Sequence, residues 1–344
     1  MQEQLLQVFS AAVAIVVGVG ALVFYFFGSN WLLDTLLADE VAPDGSVKES
    51  KETTREAIRP WLFVGPALVI LGIYLIYPAI QTVILSFYGS NGEEFVGLRN
   101  YRWALGSDEF IEAVRNTIAW LFVPFASTIF GLLIAVLADR VRWGNIAKSL
   151  IFMPMAISFV GASVIWKFVY DANLPQPGQP IPDQIGVLNA MIVSIGFQPQ
   201  DWIALIPWNN LFLMIILIWI QTGFAMVLLS AALRGVPEET LEAARIDGAS
   251  EVQLFFQIMV PQIMSTILVV LTTITIVVLK IFDIVAAMTN GQFETQVLAN
   301  LMYDQAFRAF HDGRGSMVAV VIMVAVIPIM VWNIRQFQKE EEMR

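Results

Sequence analysis

Two ionisable residues, Lys280 and Asp283, lie three positions apart within a long run of apolar side chains. Charged groups are costly to bury in lipid, so an intramembrane charge is a candidate functional group. On one continuous helix, side chains at this spacing face each other. The pair therefore has two interpretations. In the first, the role is structural: the two side chains form an ion pair, or the lysine snorkels to the interface. In the second, one of the two side chains lines a translocation cavity.

The residue types that most catalytic and metal centres need are scarce in this chain. Its 344 residues include no cysteine and one histidine, His311, which excludes thiol nucleophiles, Cys-ligated zinc and His-cluster metal sites. The segment Gly313-Arg314-Gly315-Ser316 is too short for a phosphate-binding P-loop and lacks its lysine. Neither a G-x-S-x-G elbow nor an H-E-x-x-H helix occurs. We therefore expect no catalytic residue, no metal site and no ATP site in this chain.

Polar and aromatic side chains inside apolar segments are further candidates for substrate contact. A sugar cavity combines a few aromatic platforms with convergent hydrogen-bonding groups. Helix packing or interfacial anchoring is the alternative role for each of them, because the sequence does not show which faces converge. Besides Lys280 and Asp283, the candidates are Ser158, Trp166, Trp219, Gln221, Thr222, Asn209 and Asn210.

The composition places these groups in a membrane. Apolar residues make up 58% of the chain and charged residues 14%, with a mean hydropathy of +0.71. Soluble domains are typically about 45–50% apolar and about 25% charged. The net charge of −10 disfavours nucleic acid as a partner. The sequence therefore predicts an all-α, polytopic membrane helix bundle.

Seven apolar segments could span the bilayer. The first lacks a basic leader and a small-residue cleavage site, so we interpret it as a retained span and not as a signal peptide. Residues 31–37 could form a separate interfacial helix after it. The chain thus divides into an extra N-terminal transmembrane helix (1–37), a polar linker (38–59), a six-span core (60–337) and a tail (338–344). The segments are Leu5–Phe27, Pro60–Leu85, Asn116–Ala138, Ala147–Tyr170, Trp208–Leu233, Ile263–Met288 and Ser316–Phe337.

Basic residues set the expected orientation, because lysine and arginine are enriched in cytoplasmic loops. One assignment of alternate loops puts twelve basic residues inside and six outside. It counts Arg140 and Arg344 among those inside. This orientation predicts an external N-terminus, a cytoplasmic linker and a cytoplasmic C-terminus.

The cytoplasmic loop Arg234–Pro261 has the pattern of two short helices with a break between them. Pro237 suits a first helical position, and the acidic residues after it suit a helix N-terminus. Gly248 permits a left-handed turn. Ser250 and Gln253 have the spacing of a capping box for the second helix. From these features alone, a groove-docking helix and an ordinary amphipathic loop are equally acceptable interpretations.

The spacing within this loop resembles the EAA loop of binding-protein-dependent ABC importer permeases. The matching residues are Glu242-Ala243-Ala244, then Gly248 after three residues, Ile258 after nine more, and Val260-Pro261 after one more. The family usually has leucine where Val260 stands. Further similarity extends over residues 60–344, including Pro154–Ser158 and Ile281–Asp283. The turn at residues 289–292 departs from the Gly-Gly-Pro that the family often has.

The resemblance implies the core of a type I ABC importer permease with one extra N-terminal span. It implies that the loop docks as a coupling helix on a separate ATP-binding subunit. The residues expected to couple to the ATPase are Glu242, Ala243, Ala244, Asp247 and Gly248. ATP and Mg²⁺ would then be bound by that subunit, with no cofactor in this chain and no enzymatic activity.

The expected partners are a second permease in a heterodimer, two ATP-binding subunits and an extracytoplasmic sugar-binding protein, in a bacterial inner membrane. Within this family, the chain resembles the larger permease of a maltose-type pair. Its extra span and short outer loops resemble the alpha-glucoside branch. The expected substrate is an alpha-glucoside or a related glucoside such as glucosylglycerol. A stand-alone secondary transporter is the alternative, and it predicts inverted repeats and intramembrane acids, of which Asp283 is nearly the only one.

Overall fold

The computed structural model describes residues 2–41, 47–49, 51–139 and 141–342. Arg140 and Arg344, which the orientation argument counts, lie outside these residues, as does part of the predicted linker. The regular secondary structure of the described residues is helical apart from one short pair of strands. It separates into two units, residues 1–81 and 82–344.

The N-terminal unit contains two long helices joined through two short antiparallel strands. The first helix continues to Leu36, so most of residues 31–37 extends it and does not form a separate interfacial helix. The elements are α1 (Gln2–Leu36), β1 (Glu40–Val41), β2 (Val47–Glu49), α2 (Glu52–Leu71), a π-helical segment (Gly72–Ile76) and α3 (Tyr77–Leu85), whose last residues belong to the second unit.

The contacts between α1 and α2 include a ring pair and an ion pair. The Phe26 ring stacks on Phe63 with centroids 5.1 Å apart. The Arg59 guanidinium lies 2.9 Å from a carboxylate oxygen of Asp34, and both side chains are nearly half exposed. Solvent screening limits such a pair to about 0–1 kcal/mol, so apolar contact supplies most of the packing energy here.

The second unit carries the later five spans of the predicted core, whose first span, residues 60–85, lies mostly in the first unit. It is built around α10, which contributes more buried residues than any other helix that the structure describes. Its helices are α4 (Arg99–Gly106), α5 (Asp108–Ala119), α6 (Phe122–Asp139), α7 (Gly144–Phe152), α8 (Phe159–Tyr170), α9 (Val187–Ser194), α10 (Asn209–Arg234), α11 (Glu238–Ile246), α12 (Glu251–Gln253), α13 (Val260–Gln262), α14 (Met264–Leu279), α15 (Asp283–Met288), α16 (Leu298–Tyr303) and α17 (Asp312–Glu342).

The described residues contain five helices that are long and apolar enough to cross a membrane. Two bent pairs of helices raise that number to seven if each pair counts as one span. Seven is also the number of spans that the sequence predicts. The helical membrane bundle expected from composition is therefore confirmed.

The predicted span Ala147–Tyr170 is sharply bent. A short 3-10 helix (Met153–Ala156) follows α7, and the axis changes by 108° before α8 begins. Pro154 lacks a backbone N–H donor, and Ser158 takes an extended conformation as the N-cap of α8. Hydropathy alone does not record such a bend, because both arms are apolar.

The predicted span Ile263–Met288 is also interrupted. Helix α14 ends at Leu279, Lys280 is its C-cap residue, and α15 begins at Asp283. The premise that Lys280 and Asp283 share one continuous helix is therefore wrong. The two residues lie on opposite sides of a helix break, so the spacing rule for facing side chains does not apply to them.

Glycines allow the central helices of the second unit to approach closely. A Cβ added at Gly223 would lie 2.6 Å from the carbonyl oxygen of Ile151, and one at Gly131 would lie 2.6 Å from the Cβ of Ala225. Both distances are shorter than van der Waals contact. Close approach of this kind drives helix association in membranes, where water provides no hydrophobic force between helices.

Candidate functional site

The first helix of the predicted coupling loop, α11, opens with an acidic turn. Pro237 is its N-cap, one residue earlier than the first helical position predicted for it, and Glu238 and Glu239 follow. Their negative charges interact favourably with the partial positive charge of the helix N-terminus. Glu242 lies one turn further along and is exposed. Its carboxylate has no hydrogen bond or ion pair with any residue that the structure describes.

Gly248 ends this helix in the left-handed conformation, with φ +85°. Its N–H donates to the carbonyl of Arg245, and the N–H of Ala249 donates to Ala244, as in a Schellman motif. A Cβ at Gly248 would meet no atom within 4 Å. The constraint on this position is therefore conformational and not steric, as the sequence predicts.

The second helix of the loop begins with the predicted capping box. The N–H of Gln253 donates to the Ser250 hydroxyl, and the side-chain amide oxygen of Gln253 accepts from the backbone N–H of Ser250 at 2.8 Å. A π-helical segment (Leu254–Met259) then leads to α13 and into the next span. An ion pair between Arg245 and Glu251, 3.3 Å long, joins the two helices across the turn.

The loop presents apolar side chains beside its polar ones. Ile246 is 86% exposed, and Val252 and Phe256 are also largely exposed. Ala243 adds a small exposed position next to Glu242. Exposed apolar groups rimmed by polar residues mark protein interaction surfaces. The predicted coupling residues therefore lie on one exposed loop that could contact another protein.

A charge network behind the loop was not predicted from the sequence. Asp139, the last residue of α6, contacts Lys148 at 2.7 Å and Arg234 at 3.3 Å. Lys148 also donates to the Ser230 hydroxyl on α10. The network ties α6, α7 and α10 together next to α11. The sequence argument counts Lys148 and Arg234 only as basic residues of the inner loops, and their pairing with Asp139 depends on tertiary packing. A cavity of about 290 Å³ in this region is lined by Val136, Asp139, Leu233, Arg234, Leu241, Arg245, Glu251, Phe255 and Met259.

The predicted aromatic candidates are in contact with each other. The rings of Trp166 and Trp219 meet edge to face with centroids 5.7 Å apart, and Trp166 also contacts Tyr170. Both tryptophans are partly buried against the main apolar core. Ser158 uses its hydroxyl to accept the N–H of Gly161 as a helix cap. All three therefore have structural roles in the chain, whatever they contact during transport.

Three other predicted candidates have free polar groups. Gln221 is 8% exposed, and its side-chain amide makes no hydrogen bond within the described part of the chain. Lys280 is exposed and Asp283 is partly exposed. Neither forms an ion pair with a described residue, so the structural ion pair considered between them is absent.

The outer amides predicted as sugar partners hold a loop in place. Asn210 and Asn116 both donate to the carbonyl oxygen of Glu294, at 3.0 and 2.9 Å, and Asn209 donates to the carbonyl of Phe293. Phe293 and Glu294 both have positive φ, a conformation unfavourable for non-glycine residues. The amide hydrogen bonds stabilise this strained loop, which the sequence does not reveal.

A histidine and an arginine lie at the N-terminal end of α17. Partial burial, assisted by the nearby Arg314, lowers the pKa of His311 from its usual 6.5. This shift favours the neutral imidazole. Arg314 lies over the Trp103 ring, 4.4 Å from its centroid. The positive charge at this end of the helix is therefore that of Arg314.

Residues 127–336 match the sequence profile of the family described as binding-protein-dependent transport system inner membrane component. The chain belongs to this family. The resemblance inferred from the EAA loop is thereby confirmed. The permease is a multi-pass inner-membrane protein and not an enzyme.

The permease aligns with two relatives over nearly the whole length of each relative. It is 56% identical to the alpha-glucoside transport system permease protein AglF of Rhizobium meliloti (strain 1021), over 97% of this chain and 98% of that one. It is 50% identical to the osmoprotective compounds uptake permease protein GgtC of Synechocystis sp., over 82% of this chain and 100% of that one.

The fold of the permease is also found in a solved ABC transporter. A bacterial transporter that imports the acidic polysaccharide alginate contains a chain with a TM-score of 0.71 and 20% identity. The match covers 84% of this chain and 99% of that one. At this identity the similarity establishes the fold alone.

Proposed function

We propose that the permease transports an alpha-glucoside or a related glucoside as one subunit of an ATP-driven importer. The observation that carries this proposal is the near-full-length, 56% identity with a permease named for alpha-glucoside transport. The 50% identity with an osmoprotectant permease supports small compatible solutes as the wider substrate class.

The partners in this proposal are two ATP-binding subunits, a second permease and an extracytoplasmic sugar-binding protein. ATP and Mg²⁺ are bound by the ATP-binding subunits. Glu242, Ala243, Ala244, Asp247 and Gly248 form the contact with one of these subunits, which is supported by the exposure of their loop. Helix α2 has an exposed apolar surface and no buried residue, which supports contact of this helix with the membrane.

Movement of the ATPase subunits is passed to the spans by the coupling loop. The Schellman turn at Gly248 and the Arg245–Glu251 pair hold the two loop helices at a fixed angle. The π-helical segment and α13 connect them to α14, with a bend of 69° between α13 and α14. Displacement of α11 is therefore carried into the span that ends at Lys280. This is a two-state bundle biased by ATP from inside and by the loaded binding protein from outside.

The orientation in this proposal places the N-terminus outside and the C-terminus in the cytoplasm. The excess of basic residues in the linker, the coupling loop and the tail supports it. The coupling loop must face the cytoplasm in any arrangement in which it contacts an ATPase, since ATP is available there.

The substrate is tested with the sugar-binding protein that delivers to this permease. Purified binding protein is titrated with alpha-glucosides, glucosylglycerol, beta-glucosides and acidic sugars, and binding is followed by calorimetry. Tightest binding of an alpha-glucoside or glucosylglycerol supports the proposal. Selective binding of an acidic or beta-linked sugar would reject the substrate class while leaving the transporter family intact.

A further inference from the structure

The helix break at residues 280–282 places a cation where lipid cannot solvate it. Helix α14 has 16 residues, or about 24 Å at 1.5 Å per residue, counted from the coupling side. This is shorter than the hydrocarbon core of about 30 Å, so Lys280 lies within membrane depth. It is exposed and has no ion-pair partner among the described residues. At this depth the ammonium group either reaches the interface or is solvated by water or a polar ligand.

A row of aromatic rings leads from this break toward the outer surface. Phe282 contacts Tyr303 with centroids 5.0 Å apart, and Tyr303 contacts Phe307 with centroids 5.1 Å apart. The Arg308 guanidinium lies 5.5 Å from the Tyr303 centroid. Phe307 is 61% exposed, so the row is open at its outer end. The Tyr303 hydroxyl makes no hydrogen bond with any described residue and remains available.

The backbone at this row is irregular. Helix α16 ends at Tyr303, and the π-helical segment Asp304–Arg308 follows it. Segments of this kind are rare and occur frequently at functional sites. Broken helices at membrane depth are tolerated where they line a water-filled cavity or are buried in protein.

A cavity of about 390 Å³ lies between the break and the row. Its volume falls within the range of about 300–1,000 Å³ found for small-molecule sites. The cavity wall is almost wholly apolar, and Lys280 and Tyr303 are the lining residues whose side chains carry a polar group. Its lining residues are Lys280, Phe282, Ala299, Met302, Tyr303, Ala319, Ile322 and Met323.

We propose that Lys280, Phe282 and Tyr303 form a sugar-contact surface in the translocation pathway. The apolar face of a pyranose ring packs on the aromatic row, while the Lys280 ammonium and the Tyr303 hydroxyl bond to the sugar hydroxyls. This inference rests on the proposed function as a sugar importer. The aromatic platform is then the row of Phe282, Tyr303 and Phe307, which the sequence candidates did not include, and not the two core tryptophans.

The absence of cysteine from the chain allows a direct test of whether the cavity is aqueous. Ala319→Cys places a thiol in the cavity wall, and Val324→Cys places one on the same helix outside the lining, where the side chain is 61% exposed. Each variant of the complete transporter is treated with a charged, water-soluble methanethiosulfonate. The proposal predicts that Ala319→Cys reacts and that a transported glucoside at high concentration slows the reaction. Labelling of neither cysteine shows a lipid-filled cavity and overturns the proposal, as does labelling of Ala319→Cys that sugar does not slow.

The second test measures sugar transported per ATP hydrolysed in proteoliposomes with saturating binding protein. Tyr303→Leu removes the ring and is expected to lower this ratio about tenfold, the loss equivalent to about 1.4 kcal/mol. Tyr303→Phe, which keeps the ring, retains most of the ratio. Phe130→Leu removes a half-exposed aromatic ring on α6 that does not line the cavity, and it leaves the ratio unchanged.

Lys280→Met is expected to lower the same ratio, and Lys280→Arg to restore it in part, because arginine keeps the donor. Equal ratios for all variants and the wild type would overturn the sugar-contact surface. If the wild-type complex instead hydrolyses no ATP in response to loaded binding protein, the proposed function itself fails. The two failures are therefore distinguished by the wild-type measurement alone.

Discussion

Gly248 shows how one residue can control the coupling loop. Its φ of +85° is accessible to glycine and is an outlier for a β-branched residue. The position is sterically open, so the backbone alone limits substitution. The residue type at this position therefore follows from its conformation, and the sequence reveals it because glycine is the usual C-terminal stop of a helix.

We predict that Gly248→Val uncouples ATP hydrolysis from uptake. Holding valine in this conformation costs about 1–3 kcal/mol, so the turn between α11 and α12 opens into another geometry. Gly248→Asn is the matched control, because asparagine tolerates the left-handed region. Uptake and ATP hydrolysis are measured together in proteoliposomes. Normal coupled uptake by Gly248→Val would remove this turn from the coupling pathway.

We predict that Glu242→Lys weakens association with the ATP-binding subunit. The carboxylate is exposed and has no partner among the described residues, so it is free to bind a cation on another protein. Glu239→Lys is the control, because it makes the same charge change one turn earlier on α11. Co-purification from detergent is the measurement. Equal recovery of the ATPase with both variants would count against a specific role for Glu242.

The sequence predicts the role of a candidate residue well when that role depends on neighbouring residues in the chain, and poorly when it depends on tertiary packing. Gly248, Ser250 and Gln253 behave as the sequence predicts, because turns and caps depend on a few neighbouring residues. Lys280 and Asp283 do not, because their relation depends on a helix break whose flanking segments are both apolar. The aromatic row from Phe282 to Phe307 also could not be identified, since its rings come together only through tertiary packing.

At the scale of elements, the spans were predicted and their interruptions were not. Hydropathy identifies apolar segments of sufficient length, and the helices follow them closely at α10 and α17. The bend of 108° before α8 and the break after α14 leave no hydropathy signal. Pro154 is a clue to the first of these sites. Proline is nevertheless tolerated inside straight membrane helices, and α2 contains Pro60 and Pro66 without a break.

Close helix packing gives a stability prediction at this scale. Gly223→Ala places a Cβ 2.6 Å from the Ile151 carbonyl, so α10 must move away from α7. We expect a loss of about 1–3 kcal/mol, as for other overpacked cores. Gly65→Ala in α2 meets no atom within 4 Å and serves as the control. Thermal unfolding in detergent should show a lower midpoint for Gly223→Ala alone. Equal midpoints would show that this contact does not limit stability.

For the whole molecule, the scarce charges have two separate uses. Basic residues are concentrated in the segments assigned to the cytoplasm and indicate the orientation. A smaller group forms the coupling loop and the network that joins Asp139 to Lys148 and Arg234. The sequence predicts the orientation because this requires only a count of the basic residues in each loop. The second requires the three-dimensional positions of residues far apart in the chain.

The orientation can be tested with the cysteine-free background. Gln2→Cys introduces a thiol at the N-terminus, and Gln338→Cys introduces one near the C-terminus. In intact spheroplasts, an impermeant maleimide should label Gln2→Cys at once and Gln338→Cys only after permeabilisation. Labelling of both thiols only after permeabilisation would mean an even number of spans and an internal N-terminus.

ATP-dependent uptake tests the central claim most directly. The permease is reconstituted with its partner permease, ATP-binding subunits and binding protein, and accumulation of a radiolabelled alpha-glucoside is followed with ATP inside the vesicles. The account predicts accumulation that requires both ATP and the binding protein, and that stops when either is omitted. Accumulation by this chain alone, driven by an ion gradient without ATP, would contradict it.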